Sequence, residues 1–283
     1  MRIDSVLEVE GQVRAVGGLS LFYRGWEADE PLAALLVVHG LAEHSGRYAE
    51  FGRELASFRI NTYALDLRGH GLSDGRRGHT DRFDLLLQDV DRFRREVEGC
   101  SEGELPLFLL GHSMGGLITA RYIEEYESRF HGAIITSPWL ATALPVPRWK
   151  MLAANILNRL LPSLPINAGI DETLLSHDPI AVARYRDDPL VHGKITPRMF
   201  AEVSQAMGLV MQRSERIRIP LLLLLAGDDR LVDTRKSEAF ARSLTAADVT
   251  IRVLPDYFHE VLNDFDPAIA MHEIRDWIIA RLP

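Results

Sequence analysis

The stretch LLGHSMGGL (109–117) decides how this chain folds, because it joins an apolar run to a helix through a turn of small residues. Leu109 and Leu110 close a run that begins at Leu105, and Gly111-His112-Ser113-Met114-Gly115 fits G-x-S-x-G. The run suits a buried strand, and the pattern over 114–126 is helical. Gly111 and Gly115 keep the turn clear of side chains, so Ser113 can take a strained backbone with Oγ exposed at the strand's C-terminal edge. Gly116 lets the outgoing helix lie close to the sheet. The start of that helix presents unpaired N–H groups and a positive dipole end, suited to a developing oxyanion. Taken alone, the pentapeptide leaves Ser113 as either a nucleophile or a turn serine. A base, an acid and a second oxyanion donor must occur where the chemistry needs them.

Outward from this turn, strand and helix patterns alternate. LAALLVVHG (32–40), INTYALDL (60–67), LPLFLLGH (105–112), FHGAIITS (130–137) and LLLLLAG (221–227) are apolar runs of the kind needed by strands buried on both faces. VLEVEG and LSLFYRGW read as a hairpin across Gly17-Gly18, and VTIRVLP (249–255) is a late strand. Segments 47–58, 82–98, 114–126, 234–244 and 267–281 are helical in pattern. Such alternation implies right-handed crossovers and a mostly parallel sheet covered by helices on both faces, an α/β core.

Between Pro138 and about Arg218 the alternation stops, and eight prolines separate short helical pieces. The expected organisation is a core over 1–137 and 219–283, with a helical cap (138–218) inserted after the sixth strand. The clearest cap helix, 148–161, places Met151, Leu152, Ile156, Leu157, Leu160 and Leu161 on a broad apolar side. That side is expected to pack on the domain below. A compatible, sharper expectation is a lid whose underside lines a substrate tunnel and whose edge touches membrane or micelle.

A serine alcohol cannot attack an ester unaided, so a base is required. In a strand–serine–helix arrangement the partners follow in the order Ser, acid, His. Of ten histidines, His259 alone stands in a loop between a late strand and a terminal helix, at the sheet edge that holds Ser113. The strand over 221–226 ends in Gly227-Asp228-Asp229, where a carboxylate can orient the histidine and stabilise its imidazolium. The chemistry leaves Asp228 and Asp229 both open, while Asp233 suits a helix cap. A second oxyanion amide should follow the strand ending at His39-Gly40, which makes the Leu41 N–H a candidate beside that of Met114.

Composition narrows the partners. The 283 residues carry 32 basic and 40 acidic side chains without a dense basic block, which argues against nucleic acid. Cys100 is the only cysteine, so neither an intrachain disulfide nor a cysteine metal site is expected. The acidic start, MRIDSVLEVEG, does not read as a signal peptide, and no apolar run is long enough to span a bilayer. A cytoplasmic protein, with peripheral membrane contact through the cap, is the expectation.

HGLAEHSGRY (39–48), DLRGHGLSDGRRGH (66–79), GHSMGG (111–116), YRDDPLVHG (185–193), AGDDRLVD (226–233) and FHEVLND (258–264) together resemble the monoacylglycerol lipase and lysophospholipase-like branch of the α/β-hydrolases. The resemblance spans nearly the whole chain. It implies the triad Ser113, Asp229 and His259, selecting Asp229 over Asp228, and oxyanion amides at Leu41 and Met114. It also implies that Glu43 and Arg47 stand near a glycerol pocket, with Tyr185 contributed by the lid motif. Glu43 and Arg47 could instead pair with each other on the surface, and Asp66, Arg68 and His70 are expected to brace their loop. Leu262 departs from the second histidine of the animal enzymes. The implied activity is cofactor-free and metal-free hydrolysis of a small lipid ester through an acyl-enzyme. A lysophospholipase or broad carboxylesterase is the alternative, an aminopeptidase a distant one, and a small-molecule receptor on the same fold the non-enzyme reading. Dehalogenase and epoxide hydrolase chemistry would need an aspartate where Ser113 stands.

Overall fold

The computed structural model describes residues 6–100, 105–126, 130–244 and 248–282, so the first residues of the acidic N-terminal stretch lie outside it. The hairpin is β1 (Leu7–Arg14) with β2 (Ser20–Glu27). Alternation follows through β3 (Ala33–Val38), α1 (Ala49–Ser57), β4 (Ile60–Leu65), α2 (Phe83–Cys100), β5 (Leu107–His112), α3 (Met114–Glu125) and β6 (Gly132–Thr136). The next stretch contributes α4 (Arg148–Leu160), β7 (Ile166–Asn167), α5 (Pro179–Asp187), β8 (Lys194–Ile195) and α6 (Pro197–Gln212). The pattern then resumes with β9 (Leu221–Ala226), α7 (Thr234–Ser243), β10 (Val249–Leu254) and α8 (Pro267–Ile279).

Eight strands form one sheet in the order β1-β2-β4-β3-β5-β6-β9-β10. β1 and β2 are antiparallel to their neighbours, and every pair from β4 to β10 is parallel. Each residue of β3, β4, β5, β6 and β9 is buried, which is why these segments are apolar without alternation. β10 lies at the edge and buries only Leu254 fully. Phe51 and Leu55 of α1 pack with Ile274, Trp277 and Ile278 of α8 on one face. On the other face, Phe93, Ile118 and Phe240, from α2, α3 and α7, share a core with Met199, Val203 and Val210 of α6. α6 therefore belongs to the packed interior although it follows the proline-rich break.

α4 does not. None of its residues is fully buried, and its expected packing onto the domain below is partial, by contact with α6 and through half-buried Met151, Ala154 and Leu157. The apolar side is divided. Ala153, Ala154 and Leu157 face a cavity, Trp149 stands at its exposed rim, and Leu152, Ile156 and Leu160 are turned to solvent.

α3 lies close to the sheet at both glycines: a Cβ on Gly116 would stand 3.1 Å from Ile135 Cγ2 of β6, and Gly115 is tighter still. A Cβ on Gly115 would stand 2.0 Å from the Val38 carbonyl oxygen and 2.5 Å from that of His39. The helix that starts at Met114 thus abuts the end of β3, where the HGLAEH loop begins.

Candidate active site

Ser113 sits between β5 and α3 with φ 53° and ψ −115°, a backbone that an L-residue holds only when its surroundings enforce it. Its N–H donates to Thr136 O (3.0 Å), and its carbonyl accepts the N–H groups of Leu117 (3.1 Å) and Trp139 (2.9 Å). Oγ lies 2.9 Å from Nε2 of His259, whose Nδ1 lies 2.7 Å from Oδ2 of Asp229. Oδ1 of Asp229 accepts the N–H groups of Leu231 (2.9 Å) and Val232 (3.0 Å). The carboxylate therefore accepts on both oxygens, so Nδ1 carries the proton and Nε2 is left to accept one from Ser113. Asp228 is turned to solvent against Arg230.

The electrostatics agree with the geometry. Burial works against the His259 imidazolium, but Asp229 outweighs it and raises the pKa above the ordinary 6.5. Burial likewise disfavours the Asp229 carboxylate, and His259 together with the loop amides pulls it below the usual carboxylate range. His112 lines the same cavity but bonds to Thr136 Oγ1 (3.0 Å). Burial, with His259 nearby, depresses it to about 3, so it stays neutral.

Among the described residues, the N–H groups of Leu41 and Met114 donate to no partner. His39 is fully buried, and its Nε2 accepts the Leu67 N–H (3.0 Å). That fixes the tautomer, so Nδ1–H donates to Gly40 O (2.6 Å). In a planar trans peptide C=O and N–H point oppositely. Anchoring Gly40 O therefore turns the Leu41 N–H away from His39. Burial holds His39 down to about 4, which preserves this neutral tautomer. The Gly40 N–H donates to Oε1 of Glu43 (2.6 Å), so the peptides on both sides of Gly40 are pinned.

Glu43 and Arg47 do not form a surface pair. Arg47 makes two 2.6 Å bonds to Glu260 and one of 3.2 Å to Glu43, with all three side chains nearly excluded from solvent. Burial and then Arg47 act oppositely on Glu43, and burial prevails, raising its pKa. Burial opposes ionisation of Glu260 as well, but Arg47 holds that carboxyl below its ordinary range. Sequence reasoning missed Glu260. An acid directly after the candidate histidine was the available signal, but no spacing rule links it to Arg47. Asp66 takes the N–H groups of Ser45 (2.6 Å) and Leu72 (2.7 Å), and Arg68 is paired through two bonds with buried Asp89. Those side chains brace their loop.

A cavity of about 580 Å³ opens at Ser113, within the range of small-molecule sites. One part of its wall is apolar, with Trp139, Val146, Leu157, Phe200 and Val232. Another is polar, with Glu43, His112, Tyr185, His259 and Glu260. The loop that carries His259 is tied to the region preceding α5. The Glu260 N–H donates to Leu175 O (2.9 Å), and Asp264 accepts the N–H groups of His177 and Phe258, each at 2.6 Å. Among the described residues, no cluster of histidine, cysteine or acidic side chains is arranged to hold a metal ion.

Residues 29–266 match the family Hydrolase_4, described as serine aminopeptidase, S33. The chain belongs to this family. A monoacylglycerol lipase of Mycolicibacterium smegmatis is 31% identical over 278 residues, covering 96% of this chain and 98% of that protein. A phospholipase of Bacillus subtilis is 29% identical over 241 residues, covering 84% and 92% respectively. An abhydrolase domain-containing protein of Dictyostelium discoideum is 34% identical over 266 residues, and the chain spans only 28% of that longer protein. The crystal structure of a monoacylglycerol lipase of Paleococcus ferrophilus superimposes with a TM-score of 0.84 at 33% identity, covering 92% of this chain and 99% of that one. The chain is thus an α/β-hydrolase and a serine ester hydrolase of the monoacylglycerol lipase-like branch.

Proposed function

We propose that this enzyme cleaves monoacylglycerols, and similar single-chain lipid esters, to fatty acid and alcohol. Ser113 Oγ attacks the ester carbonyl while His259 Nε2 takes its proton, forming a tetrahedral oxyanion held by the Leu41 and Met114 amides. The C–O bond to the alcohol breaks as His259 returns the proton to the departing oxygen. Water then attacks the acyl-enzyme with His259 again as base, and the fatty acid leaves with Ser113 restored. Asp229 keeps the imidazole in the working tautomer throughout.

The observation that carries this reading is the 2.9 Å contact from His259 Nε2 to Ser113 Oγ in a cavity with one apolar and one polar part. The apolar part suits an acyl chain and the polar part a hydrophilic alcohol. Residues 138–218 act as a cap over the acyl chain. The exposed Trp149, Leu152, Ile156 and Leu160 of α4 form the edge that meets a membrane or micelle, from which the lipid enters. No described helix is long and apolar enough to cross a bilayer. The second reading, a lysophospholipase, is favoured by the resemblance to a bacterial phospholipase.

Ser113→Ala is expected to lower kcat/KM on monoacylglycerol by roughly 10⁴–10⁶ with the fold intact. Retention of most of the activity would refute the assignment. In a panel of monoacylglycerol, lysophosphatidylcholine, diacylglycerol, p-nitrophenyl esters and an aminoacyl amide, the highest kcat/KM is expected on monoacylglycerol.

A further inference from the structure

The polar part of the cavity is where the alcohol must depart, because the proton it needs comes from His259 Nε2 and Glu260 is the next residue. Glu43 and Glu260 both line this corner. Arg47 lies behind them, only 10% exposed, and every contact it makes is directed inward. Its Nη1 donates to Glu260 Oε1 (2.6 Å) and Glu43 Oε2 (3.2 Å), and its Nη2 donates to Glu260 Oε2 (2.6 Å). The Tyr185 ring covers its flat face, with Cζ 4.9 Å from the ring centroid. Whether Glu43 is ionised or protonated, no positive charge is left over, since Glu260 alone matches Arg47. Lys150 does line the cavity, but it belongs to α4 and stands beside Trp149 among the apolar residues.

We propose that Glu260 is a specificity-determining residue: by engaging Arg47 through both oxygens it leaves the leaving-group corner without an available cation. The enzyme accordingly takes esters of uncharged polyols and rejects esters whose alcohol carries a phosphate. This deepens the monoacylglycerol reading and rests on it. A phosphate placed in this corner meets carboxylate oxygens at close range in a site from which water is largely excluded, and among the described residues it finds only neutral donors such as Tyr185 and His112, with no free cation to offset its lost hydration. A hydroxyl group, by contrast, can donate to Glu43 or Glu260 without bringing charge.

The test compares 1-lauroylglycerol with 1-lauroyl-glycerol 3-phosphate, both below their critical micelle concentrations, by fatty acid release. Taking the ratio of kcat/KM values within one protein cancels differences in active fraction. The wild-type ratio is expected to favour the glycerol ester by at least about a hundredfold, a preference of the size that like-charge juxtaposition supports. Glu260→Gln releases part of the guanidinium and removes one negative charge, so the ratio should fall by about tenfold or more even if both rates drop. The double variant Arg47→Gln/Glu260→Gln has no guanidinium to release and should keep most of the preference. A wild-type ratio near unity overturns the proposal without depending on any variant. So does an unchanged ratio in Glu260→Gln, or an equal fall in the double variant. Failure of the wild-type enzyme to cleave either ester would overturn the monoacylglycerol reading and this proposal with it. Turnover of the glycerol ester alongside any of the other adverse results overturns this proposal alone.

Discussion

Gly115→Ala offers a demanding test, because two physical effects of opposite sign compete at one atom. In a helix interior, alanine is intrinsically favoured over glycine by about 1 kcal/mol. Here the added methyl would stand 2.0 Å from Val38 O and 2.5 Å from His39 O, and such contacts essentially never fall below 3.0 Å. Both obstacles are backbone atoms, so no side-chain rotation relieves them. α3 and the end of β3 must separate by about 1 Å, an overpacking strain of roughly 1–3 kcal/mol. Less the helical gain, roughly 0–2 kcal/mol of destabilisation remains, and at about 2–4 °C per kcal/mol Tm should fall by up to about 8 °C. The separation also parts the two amides assigned to the oxyanion, since Met114 opens α3 and Leu41 follows β3. A displacement of that size should cost on the order of 10² in kcat. KM should change little, because the apolar wall is untouched. Gly208→Ala in α6, where an added Cβ meets nothing within 4 Å, should instead leave activity intact and Tm unchanged or slightly raised. Calorimetry and steady-state kinetics on a p-nitrophenyl ester measure both. A Gly115→Ala enzyme with wild-type Tm and kcat within about threefold of wild type would refute the packing argument.

The activity of the wild-type enzyme should rise with pH as His259 loses its proton, through a midpoint above 6.5, because Asp229 raises its pKa. The stability from that same pair is fully present below pH 6.5 and declines as pH rises through the raised value, so activity and this part of the stability trend oppositely. Asp229→Asn should move the activity midpoint to lower pH and reduce kcat roughly 10⁴-fold; an unmoved midpoint in a pH–rate profile would contradict the assigned pairing. His39→Ala should lower kcat by roughly 10²–10³ by unfastening the Gly40–Leu41 peptide, with partial recovery in His39→Asn, whose amide can still reach Gly40 O. Equal kcat in wild type, His39→Ala and His39→Asn would exclude the positioning role. Replacing Leu152, Ile156 and Leu160 with serine should weaken vesicle co-sedimentation about tenfold or more while hydrolysis of a soluble short-chain ester is kept.

The sheet was legible in the sequence because it follows from local rules, and the chain order serine, acid, histidine pointed to side chains that the fold brings within hydrogen-bond reach. Strands buried on both faces must be continuously apolar, so β3, β5 and β9 stand out, and each ends on a residue or loop of the site. Asp229 was harder. Neighbouring carboxylates in one loop are chemically equivalent until the backbone is drawn, when Asp229 receives the Leu231 and Val232 amides and Asp228 turns outward. Glu260 was missed because its partner lies 213 residues away in another motif, a contact that periodicity cannot register. β7 and β8 escaped for the same reason, being two-residue strands paired across the proline-rich region. The apolar stripe of α4 was visible, but not its division between cavity and solvent, since amphipathic spacing records which residues share a face and not what that face meets.

The bonds from Asp264 to His177 and Phe258, and from Glu260 to Leu175, set a rule for building chimeras in this family. Transplanting residues 138–218 alone would replace His177 and Leu175, the partners of Asp264 and Glu260, while Phe258 stays with Asp264. An exchange must therefore include 258–264, the very loop that carries His259, and must also match His44, Gly78 and Phe83, which bond Asp188, Thr196 and Glu202. Any change to the stretch around Leu175 and His177 also alters what supports the His259 loop.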